Sequence, residues 1–172
     1  SLLLFAPHPA SEVLVVDDGS SDGSGHVADE LAREESRVRV VHHAVNRGYA
    51  EAQRACYENA RADWVLLLPA DGQVDPRCLG ALLAAAAPAA THPADLVVGV
   101  PAPGTSERLS SRAYHAVVAA LFGRRVWWRL GACLLVRRVV VEQLPLLSRT
   151  PVLMTELAVR IERRGGVVRS VL

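Results

Sequence analysis

The sequence predicts an α/β fold, a mainly parallel sheet with helices on both faces. Three observations predict it. Short apolar runs rich in Val and Leu recur along the chain, at Val13–Val16, Val38–Val41, Trp64–Leu68 and Leu96–Val100. Helix-length stretches separate them. Apart from Arg39 in the second, the runs are continuously apolar rather than alternating, as strands are when both faces of their sheet are covered.

The elements follow in order. Val13–Val16 is the first strand. Ser24 can cap a helix running to about Glu35, with Val27, Ala28, Leu31 and Ala32 on one face. Val38–Val41 is the second strand, and His42–Gly48 the loop after it. An Ala-rich helix covers Tyr49 to Ala60. Trp64–Leu68 is the third strand, closed by Pro69. Pro76 sits where a helix begins, and Cys78–Ala87 continues it. Leu96–Val100 is the fourth strand, and a helix is expected from about Ser106 to Phe122. A short strand at Cys133–Val136, a short helix at Val139–Leu144, a helix at Thr155–Arg164 and a last strand at Val167–Leu172 complete the chain. Ser1–Pro9 reads as a helix end and a loop, with no strand before it. A doubly wound sheet would place a strand and helix upstream, so the chain reads as N-terminally truncated.

Composition narrows the function. At 172 residues the length suits one domain, spanning 1–172, and 51% of the residues are hydrophobic. The formal net charge of +1 makes no electrostatic case for nucleic acid. All 19 basic residues are Arg. With no lysine, chemistry built on P-loop, Schiff-base or kinase lysines is excluded. Cys56, Cys78 and Cys133 lack metal-ligand spacing and read as small buried hydrophobes in a reducing compartment. No run is long and apolar enough to read as a signal peptide or a membrane span. A soluble product is expected.

Three polar clusters follow three successive strands: Asp17-Asp18-Gly19-Ser20-Ser21-Asp22, then Asn46-Arg47-Gly48, then Asp71-Gly72-Gln73-Val74-Asp75. Parallel strands place all three at the carboxyl edge of the sheet, where open α/β folds bind ligands. Any one cluster could be a solvated turn. Three in succession suit a ligand with hydrogen-bonding rings and phosphate, bridged by a divalent cation. Asp and Gln oxygens are hard ligands, so Mg²⁺ or Mn²⁺ is expected. The first cluster also resembles the acid pocket of response-regulator receiver domains, but those need a lysine after their fifth strand.

The ordered set resembles inverting glycosyltransferases of family 2, with the GT-A fold, a Rossmann-like sheet, and among them the polyprenyl-phosphate (dolichyl-phosphate) sugar transferases. The resemblance rests on Val15-Val-Asp-Asp-Gly-Ser-Ser-Asp-Gly-Ser24, Asn46-Arg-Gly-Tyr-Ala50 and Ala70-Asp-Gly-Gln-Val-Asp-Pro76. Later pieces are Ser111-Arg112, Phe122-Gly-Arg-Arg125, Gly131 with Arg137-Arg138, and Glu156-Leu-Ala-Val-Arg160. The family opens with a Val-rich strand that is missing here.

The resemblance implies roles. Asp17, Asp18 and Gly19 would contact the base and ribose of a UDP- or GDP-linked sugar, with Ser20 and Asp22 shaping the loop. Asn46, Arg47 and Gly48 would border the nucleotide. Asp71 would hold the metal with Gln73 as companion. Arg112, Arg137 and Arg138 would face an acceptor phosphate or the donor diphosphate. The expected acceptor is a lipid phosphate or a sugar, and the expected place is the cytoplasm, at the inner face of the membrane with peripheral contact. A lipid phosphate would need no base, whereas a sugar hydroxyl would need Glu156. Asp71 and Glu156 are therefore the expected catalytic pair.

Three positions depart from the family pattern. Pro69 stands where the first acid of the Asp-x-Asp metal motif is expected, Trp127-Trp128 replaces polar residues, and Met154 stands where an Asp is common. A non-catalytic nucleotide-sugar-binding domain is the alternative. The ordinary readings are that Glu156 and Arg160 form a surface i,i+4 pair, and that His42-His43 ends a strand in solvent.

Overall fold

The computed structural model describes residues 11–72, 74–86, 93–100, 120, 133–150 and 152–171. The element order is β1 (Val13–Asp17), α1 (Ser24–Glu34), β2 (Val38–His42), α2 (Tyr49–Asn59), β3 (Trp64–Leu67) and α3 (Cys78–Ala86). β4 (Leu96–Gly99), β5 (Cys133–Arg137), α4 (Arg138–Glu142), α5 (Leu153–Arg163) and β6 (Val168–Val171) follow. The expected helix from Ser106 to Phe122 lies almost entirely outside the described residues, as do Gln73, Arg112 and Trp127-Trp128.

The strands form two sheets. β1 and β2 pair in parallel, with Val13 opposite Val38 and Asp17 opposite His42. The other sheet has the order β3-β5-β4-β6. β4 and β6 are parallel, but β5 lies between β3 and β4 and runs antiparallel to both. Parallel pairing therefore holds around β1–β2 and β4–β6, while β5 makes the larger sheet mixed. An apolar run carries no mark of its direction, so the sequence could not show this.

Helices cover both faces of the larger sheet, and side-chain alternation along the strands divides the core accordingly. On one face Leu96, Val98, Leu134 and Val136 pack with Tyr57 of α2, Val141 of α4, and Leu157 and Ile161 of α5. On the other, Val97, Cys133 and Leu135 pack with Leu82 and Ala86 of α3. The three cysteines are free thiols. Only Cys133 is fully buried, with its sulfur 3.9 Å from that of Cys78.

Helix α1 differs from expectation in two details. Its N-cap position is Gly23, and the Ser24 N–H donates to Asp22 Oδ1 at 3.0 Å, so Asp22 rather than Ser24 serves the helix start. Ala28 is buried, whereas Val27 and Leu31 are exposed. Among the described residues no helix is long and apolar enough to cross a membrane.

Candidate functional site

The first two polar clusters meet through the Asp18 carboxylate. Its Oδ1 accepts the Arg47 N–H at 3.0 Å, and its Oδ2 accepts the Gly48 N–H at 2.7 Å. Gly48 is the N-cap of α2 and has φ +90° and ψ 163°, a conformation in which a side chain is strained. The loop after β1 is thereby tied to the start of a helix, the positive end of its dipole. Gly19 lets the two backbones close. It has φ +71°, and an added Cβ would stand 2.6 Å from Asn46 N and 2.7 Å from the Val45 carbonyl carbon.

Asp17 shapes the same loop from within. Its Oδ1 accepts the Ser20 N–H at 3.0 Å, closing a tight turn. Hydrogen bonds from the Ser20 side chain and from His42, with the Ser20 N–H, hold its pKa down at about 2. Burial pushes Asp18 upward, but hydrogen bonds from His43, Arg47 and Gly48 outweigh it and leave the pKa below the ordinary carboxylate value. Both acids are thus ionised acceptors at neutral pH. Asn46, Arg47 and Ser20 are exposed beside them.

The third cluster arrives from the end of β3. Asp71 is exposed, and its charge helps burial to raise the pKa of Tyr49, the first residue of α2. The three clusters therefore converge around the N-terminus of α2. Asp75 is turned to a local task, pairing with the side chain of Arg77 and accepting its N–H at 2.9 Å.

The basic residues at the end of β5 do not join them. Arg137 stands opposite Trp64, the first residue of β3, while Leu134 stands opposite Leu67, the last. Because β5 is antiparallel, it carries Arg137 and Arg138 to the amino edge of β3, on the order of 10 Å of strand from the carboxyl edge. There Arg137 lies 3.7 Å from Asp95, and Arg138 donates to the Ala62 carbonyl and pairs with Glu142. The parallel order read from the sequence would have put them with the site.

Glu156 is close to the site but committed elsewhere. Nearby, the Tyr49 hydroxyl is 3.9 Å from Met154 Sδ, so α5 touches the start of α2. The Glu156 carboxylate accepts the N–H of Leu147 at 3.0 Å and of Ser148 at 2.7 Å, and pairs with Arg160 at 2.7 Å. Burial pushes its pKa up, but these N–H groups and Arg160 outweigh that and set it below the usual glutamate value. Arg54 of α2 grips the other side of the same segment, donating to the Leu146 carbonyl and to the Ser148 carbonyl at 2.6 Å. Segment 146–148 is held by its carbonyls on one side and its amides on the other.

Sequence reasoning missed His42 and His43. His42 ends β2 exposed, as expected, but the His43 side chain is buried, and both face the acid pair, His42 Nδ1 at 2.9 Å from Asp17 Oδ2 and His43 Nδ1 at 2.6 Å from Asp18 Oδ1. A signal existed. Two acids and two histidines each follow an apolar run that begins a strand, and neighbouring parallel strands bring such ends together.

Comparison with known proteins agrees with the fold. The sequence model of the family described as "Glycosyl transferase family 2" matches residues 1–148. An undecaprenyl-phosphate mannosyltransferase of Micrococcus luteus is 38% identical over 94 residues, 53% of this chain and 37% of that protein. A polyprenol monophosphomannose synthase of Mycolicibacterium smegmatis is 39% identical over 95 residues, 53% of this chain and 34% of that protein. These alignments span only about a third of the relatives' length. Among solved structures, glucosyl-3-phosphoglycerate synthase of Mycobacterium tuberculosis in complex with uridine diphosphate superposes with a TM-score of 0.66 at 19% identity, covering 91% of this chain and 57% of the other. The same enzyme with phosphoglyceric acid gives 0.70 at 20% identity, covering 92% and 58%. The fold is that of the GT-A glycosyltransferases, and the chain belongs to glycosyl transferase family 2.

Proposed function

We propose that the chain contributes the donor site of an inverting glycosyltransferase that moves a sugar from a UDP- or GDP-linked donor to a polyprenyl phosphate. The observation that carries this reading is the convergence of the Asp17-Asp18 loop, Asn46-Arg47-Gly48 and Asp71 at the start of α2. Ionised acceptors and the exposed Asn46 and Arg47 side chains there suit the base and ribose, and the helix start suits the diphosphate. The relatives named for undecaprenyl phosphate and polyprenol support the acceptor class, and the neighbour solved with uridine diphosphate supports the donor class.

The residues present fit a divalent cation. Mg²⁺ is commonly held by one or two carboxylates together with substrate phosphates and water, and Asp71 is an exposed carboxylate at the strand end. Asp71 would hold the ion, with Gln73 beside it in sequence, while Pro69 offers no side-chain oxygen. When bound, the ion supplies neutralisation of the charge that grows on the departing diphosphate. The acceptor oxygen forms its bond to the anomeric carbon as the bond to the diphosphate breaks, which inverts that carbon.

The state of Glu156 favours a phosphate acceptor. A sugar hydroxyl must lose a proton, and a base needs a free, suitably basic oxygen. Glu156 has a lowered pKa and is committed to two amides and an arginine. A phosphate monoester is already ionised near neutral pH and needs no base. Such an acceptor calls for reaction at a membrane surface, and the reading puts the chain at the cytoplasmic one.

The test is a melting curve with UDP or GDP and Mn²⁺, followed by assay with a polyprenyl phosphate. A nucleotide-dependent rise that Asp71→Ala abolishes, with release of nucleoside diphosphate, is expected. Absence of any rise with either nucleotide overturns the donor reading. A rise without turnover supports the second reading, a nucleotide-sugar-binding domain without catalysis, which Pro69 and Met154 favour.

A further inference from the structure

His42 and His43 lie beside the donor loop without a role in the chemistry above. Their place follows from the register. Asp17 is opposite His42 in the parallel pair β1–β2, and the next residues along each strand, Asp18 and His43, also meet. The acids are ionised and have no proton to give, so each Nδ1 must be the donor. His42 Nε2 faces Asp29 Oδ1 of α1 at 3.0 Å, so a carboxylate stands at each nitrogen of that ring and favours its charged form. Hydrogen bonds donated to Asp17 and then to Asp29 raise its pKa, in agreement. The His43 side chain is only 8% exposed, which leaves its ring little room to turn.

The accounting at Asp18 is informative. A carboxylate accepts roughly four hydrogen bonds. Asp18 already takes those of His43 Nδ1, Arg47 N and Gly48 N. That leaves it about one acceptor direction, and this direction is fixed once His43 fixes Oδ1. The arrangement is not a cation cluster, since among the described residues no three His, Cys, Asp or Glu side chains are grouped to hold a metal ion.

We propose that His42 and His43 are positioning residues of the donor loop: His43 sets the orientation in which Asp18 meets the nucleotide, and His42 fixes Asp17 so that the Ser20 turn is formed before the ligand arrives. The proposal rests on the donor-site reading above. Neither histidine touches the donor; each acts through its acid. A loop held this way loses less conformational freedom on binding, which is the physical gain.

The experiment compares the parent with His43→Ala, His43→Asn, His43→Gln, His42→Asn and His42→Ala. Asn places an amide N–H close to where Nδ1 stands, whereas Gln places it one atom further out. Two quantities are read on folded protein: hydrogen exchange at the Arg47 and Gly48 amides, and the dissociation constants of UDP and GDP with Mn²⁺. His43→Ala should speed exchange at both amides and weaken nucleotide binding, each about tenfold for the loss of one charge-assisted hydrogen bond. His43→Asn should restore both, and His43→Gln should not. His42→Asn should keep Arg47 and Gly48 protected and speed exchange at Ser20 by less than His42→Ala does. Should His43→Ala not fold, the contrast between Asn and Gln decides. Parent-like exchange in His43→Ala or His43→Gln overturns the proposal by itself. Altered exchange with parent-like affinity also overturns it, leaving only a structural contact. Failure of the parent to bind either nucleotide, with altered exchange, overturns the donor reading instead.

Discussion

Asp18 Oδ2 accepts the Gly48 N–H at 2.7 Å across 30 positions of sequence, so the end of β1 and the start of α2 are one structural unit. Replacing Asp18 by Ala removes the acceptor of three hydrogen bonds at once. Two of the bonds lost, those of His43 and Gly48, are partly buried, and each unmade bond to a charged group costs about 1.5–3 kcal/mol before water compensates. Urea unfolding should show a lower midpoint with an unchanged slope, and nucleotide binding should be lost. Asp18→Asn keeps one carbonyl oxygen and should fall between parent and Ala.

Gly19→Ala should be worse than its size suggests. A left-handed conformation costs an L residue about 1–2 kcal/mol, and here the new Cβ would also meet the backbone of Asn46 at 2.6 Å. Backbone cannot swing aside as a side chain can. The expected result is a melting temperature lower by several degrees and weaker nucleotide binding. Gly72→Ala is the control: it shares the strain, with φ +74°, but meets no neighbour within 4 Å.

Glu156→Gln separates a structural part from a chemical one. Gln keeps an oxygen for the Leu147 or Ser148 amide but loses the Arg160 pair. If the acceptor is a phosphate, kcat should change less than threefold while the melting temperature falls. A kcat drop of about a hundredfold, the low end of what an acid–base group contributes, would assign Glu156 to proton transfer. Arg54→Met should mimic the stability loss, because it frees the carbonyls of the same segment.

Protection of the Ser20 amide should depend on pH on both sides. Asp17 has a depressed pKa of about 2, so its contribution is complete above its ordinary value of 3.8 and is lost as pH falls toward 2. His42 has a raised pKa, so its contribution is complete below its ordinary value of 6.5 and is lost as pH rises through the folded value. Exchange at Ser20, corrected for the intrinsic rate, should be slowest between about pH 4 and 6.5. His42→Asn should erase the alkaline limb and leave the acid one.

Much of this was legible because the chemistry sits at strand ends. Strands such as Val13–Asp17 and Trp64–Leu67 announce themselves as apolar runs, and the acids after them mark the crevice. The direction of β5 was not legible, since Cys133–Val136 would read the same either way, and that direction decides where Arg137 goes. His42 and His43 were misjudged for a related reason. A histidine after a strand is ordinarily solvated, and only the register of β1 against β2 shows that two acids face the pair.

Helix α2 carries Gly48 at its cap and, about 9 Å along at 1.5 Å per residue, Arg54 with its hold on segment 146–148. One stiff rod therefore has a grip at its cap and another at its middle. A ligand that draws the cap toward the β1 loop pulls on that segment too, and by reciprocity anything seated against the segment changes the affinity at the cap by the same factor. The order in which two substrates arrive would then be written into the pitch of a single helix.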